Sequence, residues 1–126
     1  MSLLSEIFVW WDRQTLGTRL MTARKGERVG EDDLGNVYYR ERNGERRWVV
    51  YSGVADASCV PPEWHGWLHY IVDTPPSEED YTPRDWQKPH KPNMTGTPGA
   101  YRPRGSTLSA ETRPQATGDY EAWSPE

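Results

Sequence analysis

The sequence predicts an α+β fold: a small antiparallel β-meander of three or four strands, an N-terminal helix, a helix at about 62–72, and a long extended Pro-rich tail. Three observations predict it. Asn43-Gly44 separates two runs rich in valine and aromatic residues, and both of its residues tolerate the positive φ of a type I′ turn. Trp64, Trp67, Leu68 and Ile71 recur at i, i+3, i+4 and i+7, which makes one apolar helical stripe. Nine of the eleven prolines fall in residues 75–126.

Residues 3–14 open the chain with a stripe of Leu4, Ile7, Phe8 and Trp11, widened by Leu3 and Trp10, with Ser5, Glu6, Asp12 and Arg13 behind it. So short a helix is marginal alone, and its stripe must dock on something. It is slightly acidic, whereas interfacial membrane helices are normally basic, so docking on protein is favoured. Thr18 to Val29 reads as a first hairpin, because Leu20 and Thr22 alternate with Met21 and Ala23 and Lys25-Gly26 supplies a turn. Glu31-Asp32-Asp33 begins a loop. Its acids lack the alternation and distal glutamate of a calcium loop, so it is a solvated acidic turn.

The main hairpin follows. A two-residue turn at Asn43-Gly44 sets Glu41 opposite Arg46, Tyr39 opposite Trp48 and Val37 opposite Val50. One face then reads Val37, Tyr39, Trp48 and Val50, the core face by pattern. The other reads Tyr38, Arg40, Arg47, Val49 and Tyr51, with Arg40 directly opposite Arg47. Like charges so placed are unfavourable unless something lies between or over them. That face is either a solvated outer surface or one whose arginines await a partner. Val60-Pro61-Pro62-Glu63 then starts a helix, since proline suits a first turn and an acid there suits the dipole. Asp73-Thr74-Pro75-Pro76 ends it. The expected assembly lays the tryptophan stripe on the Val37/Tyr39/Trp48/Val50 face.

Composition bounds the rest. Apolar residues are only 34% of the 126, yet there are seven Trp and one Phe. The core is therefore small, built from large rings, and open to borrowing surface from a partner. A net charge of −4 argues against nucleic acid. The single Cys59 excludes an intramolecular disulfide and fits a reducing compartment. No run of 18 apolar residues is present to span a membrane. The N-terminus has no basic n-region and no Arg-rich presequence, so neither secretion nor a transit peptide is expected.

From Pro75 on there is no Ile, Val or Phe and a single Leu, so this stretch does not fold by itself. In residues 81–106, Tyr81, Trp86, Met94 and Tyr101 recur with Arg84, Lys88, Lys91, Arg102 and Arg104 between them. Proline keeps such a segment extended at about 3.1 Å per residue, a reach of about 80 Å. It reads as a rope laid along another protein, pre-set prolines lowering the ordering cost. The expected organisation is a small α+β domain at 1–76, a partner-binding tail at 77–106 and a flexible C-terminus at 107–126.

Catalysis has no residue support: the chain has no nucleophile elbow, phosphate loop, dinucleotide fingerprint or CxxC pair. His65 and His69 stand at i, i+4 on the predicted helix. The segment reads HGWLH, so Gly66 stands where a zinc protease carries its glutamate. A third ligand would have to be Cys59 or His90, with no supporting spacing. Neither metal nor cofactor is expected.

Six segments carry a resemblance: GTRL (17–20), GNVYYRER (35–42), RRWVVY (46–51), VPPEWHGWLHY (60–70), DTPP (73–76) and KPHKPNMTGTPGAYRP (88–103). In order and spacing they resemble the small 17 kDa-class accessory subunits of respiratory complex I, the proton-pumping NADH:ubiquinone oxidoreductase, over about residues 15–105. The resemblance implies a cofactor-free, non-catalytic subunit on the peripheral arm. There it contacts core subunits that carry the terminal iron–sulfur clusters near the quinone site, and it supports assembly and stability. The chain is short beside the mitochondrial form, so it is similar to a bacterial member. That implies a peripheral position on the cytoplasmic side of the inner membrane (the matrix side in mitochondria). The alternatives are a transient assembly factor of the same enzyme, which the family's paralogue is, and a metal-dependent enzyme using His65, His69 and Cys59. Exposed aromatic and guanidinium groups make interface anchors. The contact residues expected on that ground are Trp10, Trp11, Arg40, Arg47, Trp86, His90, Asn93, Tyr101 and Arg102.

Overall fold

The computed structural model describes residues 3–109, 111–120 and 122–125, without the side chains of Leu3, Ser5 and Glu6. Its elements are α1 (Leu3–Phe8), α2 (Leu16–Lys25), β1 (Gly26–Glu31), β2 (Val37–Glu41), β3 (Arg47–Val50), a 3₁₀ turn (Ala57–Cys59) and α3 (Pro62–Leu68). The strands form one antiparallel sheet in the order β1-β2-β3. The described residues divide into two units, one up to Pro92 and one from Asn93 on.

The expected hairpin at 18–29 is instead a helix followed by a strand. RLMTARK is made of strong helix formers apart from Thr22. Thr15 supplies an N-cap, its hydroxyl accepting from the Thr18 N–H at 3.2 Å. Arg24 and Lys25 sit in the last turn, where cations suit the dipole. Gly26 is the first strand residue, not a turn: a Cβ there would lie 2.6 Å from the Thr22 carbonyl oxygen and 3.1 Å from the Trp48 ring. The N-terminal helix is also shorter than 3–14. The chain beyond it pairs with residues 53–55 instead, through Arg13 N–H to Gly53 O at 2.7 Å and Ala55 N–H to Trp11 O at 2.8 Å.

The main hairpin has the expected register, Val37↔Val50, Tyr39↔Trp48 and Arg40↔Arg47. Its turn is not type I′, because neither Asn43 nor Gly44 has positive φ. The loop is tied elsewhere: Glu41 N–H donates to Arg46 O at 2.9 Å and Arg42 N–H to Lys25 O at 3.0 Å.

The core lies on the opposite face of the sheet from the one expected. Tyr38 (0% exposed), Val60, Trp64 and Trp67 form it, with Val29, Val49, Tyr51 and Leu68 packed around them. Trp64 stacks on Tyr38 at 3.9 Å with 5° between planes and meets Trp67 edge-on at 5.7 Å. The other face, with Tyr39 and Trp48 stacked at 6.1 Å, receives α2 through a Trp48 Nε1–H to Thr22 Oγ1 bond of 2.9 Å. The sheet thus has a helix on each side. Gly30, paired with Tyr38, leaves room for the Trp64 ring: a Cβ there would stand 2.8 Å from it.

A polar knot holds the start of β2. Asp32 accepts from the N–H groups of Leu34 and Asn36 (both 2.9 Å), from Asn36 Nδ2 (2.9 Å) and from the Tyr38 hydroxyl (2.7 Å). Asn36, 1% exposed, also donates to Cys59 O at 3.0 Å and accepts from Ser52 N–H at 3.1 Å. Burial, reinforced by Asp32, pushes the Tyr38 phenol well above its ordinary value of 10.0. A raised folded value means that the unfolded chain releases the proton first. Stability from Tyr38 is therefore complete below about pH 10 and is lost as pH rises beyond it. Tyr38→Phe should lower the denaturant midpoint at pH 8 yet flatten its fall between pH 9 and 11. Tyr51 and Cys59, also raised by burial, supply slope that remains.

Candidate functional site

Arg47 shows how a face with two facing arginines becomes a core. Its Nη1 donates to Trp67 O at 2.7 Å and Val72 O at 3.0 Å, and Nη2 pairs with Asp73 at 3.3 Å. The guanidinium lies 4.9 Å over the Trp67 ring and 4.6 Å over that of Tyr70. Helix ends carry unpaired carbonyls, and Arg47 satisfies one of them. This ends α3 at Leu68 rather than at about 72: Tyr70 turns to φ 59° and the Ile71 N–H folds back to Gly66 O at 3.0 Å. Ile71, expected in the buried stripe, is 73% exposed. Arg40 leans away from Arg47 to Glu27, donating through Nε at 3.0 Å and Nη2 at 3.2 Å. The Arg40 guanidinium holds the Glu27 carboxyl below its ordinary range. Both arginines are thus engaged within the chain.

Past α3 the chain returns across the domain as a strap. Pro75 is buried, and the Ser77 hydroxyl donates to Val29 O at 3.0 Å. The Gln87 side chain accepts from the Tyr81 hydroxyl at 2.7 Å and the Arg84 N–H at 2.6 Å, tying a turn. The His90 ring sits 2.7 Å from Ser58 O. Between this strap and the body runs a groove of about 960 Å³. Asp33, Leu34, Pro61, Pro62 and Glu63 form one side; Pro83, Trp86, Gln87, Lys88, Pro89, His90 and Lys91 form the other. Trp86 is 77% exposed.

The groove brings Trp86 and His90 together. Trp10 and Trp11 form a separate exposed pair, edge-on at 5.8 Å. Asn93, Tyr101 and Arg102 belong to the second unit. There Asn93 Oδ1 accepts from Thr95 N–H at 3.0 Å, Tyr101 is exposed, and Arg102 donates to Leu108 O at 3.3 Å. Sequence reading missed Asp33, Leu34 and Glu63 as groove residues, because nothing local marks a loop and a helix start as the far wall of a strap.

The groups with chemical potential are otherwise placed. Cys59 is half-buried and its thiol is pushed up by burial, which disfavours the reactive thiolate. The His65 and His69 rings lie 4.1 Å apart on α3. Among the described residues no group of three His, Cys, Asp or Glu side chains is placed to hold a metal.

A family profile described as NADH ubiquinone oxidoreductase subunit NDUFA12 matches residues 26–125. The chain is 41% identical over 103 residues to NADH dehydrogenase (ubiquinone) 1 alpha subcomplex subunit 12 of Bos taurus, covering 71% of this chain and 70% of that one. The Dictyostelium discoideum protein of the same name is 42% identical over 91 residues, covering 68% and 66%. An uncharacterized protein of Rickettsia prowazekii (strain Madrid E) is 36% identical over 70 residues, covering 51% and 68%.

Proposed function

The chain belongs to the NADH ubiquinone oxidoreductase subunit NDUFA12 family, and from that premise we propose that it is a non-catalytic accessory subunit of respiratory complex I. The match across residues 26–125 carries this reading, since it spans the folded core and the proline-rich segment alike. Electron transfer belongs to the enzyme it joins. Its own part is to bind and brace, at the end of the peripheral arm near the quinone site, against core subunits that hold iron–sulfur clusters. It works there as a resident subunit rather than as a transient assembly factor, peripheral to the membrane on the cytoplasmic face of a bacterial inner membrane. Among the described residues no helix is long and apolar enough to cross a membrane. A Rickettsia relative supports the bacterial setting.

The exposed rings supply the grip. Trp10, Trp86 and Tyr101 are 71%, 77% and 90% exposed. Large rings left in water, on a chain whose described residues include four buried core side chains, are the surface a partner would cover. His90 lines the groove beside Trp86, whereas Arg40 and Arg47 are held by partners within the chain. The organisation proposed is a bracing domain up to residue 76 and a partner-binding tail over 77–106.

A native gel of solubilised membranes, stained for NADH dehydrogenase activity and probed for this chain, tests the proposal. Comigration with the fully assembled active band is the expected result. Appearance only with smaller, inactive subcomplexes would instead establish a transient assembly factor. Deleting residues 81–126 should reduce occupancy in the active band several-fold and leave the 18–73 fold mostly intact. Normal occupancy of the truncated chain would remove the tail from the binding surface.

A further inference from the structure

We infer that the groove beneath Trp86 receives an extended, polyproline-II-type segment of a partner chain that carries a basic side chain. The inference rests on the accessory-subunit reading above and specifies what that partner must present.

Four of the groove's residues are proline: Pro61, Pro62, Pro83 and Pro89. Proline has no backbone N–H, so these stretches are poor templates for a β-ladder, and recognition by strand addition is disfavoured there. What they offer is rigid apolar surface beside an exposed indole, the combination that reads polyproline-II chains. Such a chain has no internal hydrogen bonds, so its carbonyls need donors. The strap carries them, in the Lys88 and Lys91 ammoniums and the Trp86 indole N–H. The opposite side carries Asp33 and Glu63, which suit a guanidinium or ammonium from the ligand. Donors for carbonyls on one wall and carboxylates for a cation on the other define the occupant. The Gln87 turn and the His90–Ser58 tie hold the strap in place beforehand, which lowers the ordering cost of binding.

The test uses the full-length chain and fluorescently labelled ten-residue peptides: one of Pro-Pro-Arg repeats, one with Glu for each Arg, and one of Gly-Ser repeats. By fluorescence polarisation the arginine peptide should bind saturably, and the other two at least about tenfold more weakly. Trp86→Ala and Glu63→Gln should each weaken the arginine peptide by about tenfold or more. Trp86 is exposed, so its removal leaves the fold standing. Equal binding of the arginine and glutamate peptides, or undiminished binding by Trp86→Ala, overturns the inference. So does a Trp86-dependent dimer in sedimentation, which would make the occupant a second copy. The same variants are then followed into the native gel. If wild type comigrates and both variants do so at full occupancy, the groove is not the docking point and the accessory-subunit reading stands. If wild type itself does not comigrate, that reading falls, and the peptide titration decides the groove alone.

Discussion

Trp64→Ala is expected to lower stability by about 3–5 kcal/mol, the usual cost of truncating a large buried ring. Trp64 is 5% exposed and links every part of the core. It stacks face to face on Tyr38, meets Trp67 edge-on and fills the space left by Gly30. No neighbour can close that cavity, because Tyr38 is tied to Asp32 through its hydroxyl and Trp67 is held under Arg47. In a domain of this size the loss corresponds to a fall in melting temperature of about 15–30 °C. Trp64→Phe keeps a ring on Tyr38 and should lose less than half as much. Thermal unfolding followed by circular dichroism measures both, with Trp86→Ala as the exposed control that leaves the midpoint unmoved. A loss below about 1 kcal/mol for Trp64→Ala would contradict the packing of α3 on the Tyr38 face.

Asp32→Ala should cost about 3 kcal/mol, although Asp32 is only half-buried. Its carboxylate accepts four hydrogen bonds, and two of the donors, Asn36 Nδ2 and the Tyr38 hydroxyl, belong to side chains almost wholly out of water. Removing the acceptor leaves the buried hydroxyl proton with nothing to donate to, which costs more than the bond itself is worth. Adding Tyr38→Phe to Asp32→Ala should then cost little or even restore stability, whereas Tyr38→Phe alone is destabilising. A double-mutant cycle from denaturant midpoints reads the coupling. Simple additivity would show that the hydroxyl bond carries no energy.

Legibility followed the range of the interaction that decides each feature. The register of β2 with β3 was readable because the pattern on either side of Asn43-Gly44 admits one alignment. The start of α3 was readable from Val60-Pro61-Pro62-Glu63. The core face was not. Polarity favoured Val37, Tyr39, Trp48 and Val50, because Arg40 and Arg47 counted against the other side. Those charges are absorbed by Glu27 on β1 and by the end of α3, partners 13 and 20–26 residues away that no local pattern reveals. Residues 18–23 satisfy both period two and helical spacing, and the Thr15 cap is what distinguishes them. In the groove, Trp86 and His90 stood out by chemistry, while Asp33 and Glu63 became visible only once the strap lay across from them.

The bulge in β1 has a consequence for the chain before it meets its partners. β1 is an edge strand, and its pairing with β2 shifts between Arg28 and Gly30. An open edge is a template for another copy to add a strand and begin aggregation. Here the shift breaks the regular row of backbone groups, the Ser77 hydroxyl occupies the Val29 carbonyl, and Glu27, Arg28 and Glu31 bring charge to the strand. The β1 edge is therefore blunted against strand addition by a second copy, while Trp10, Trp86 and Tyr101 stay exposed for recognition.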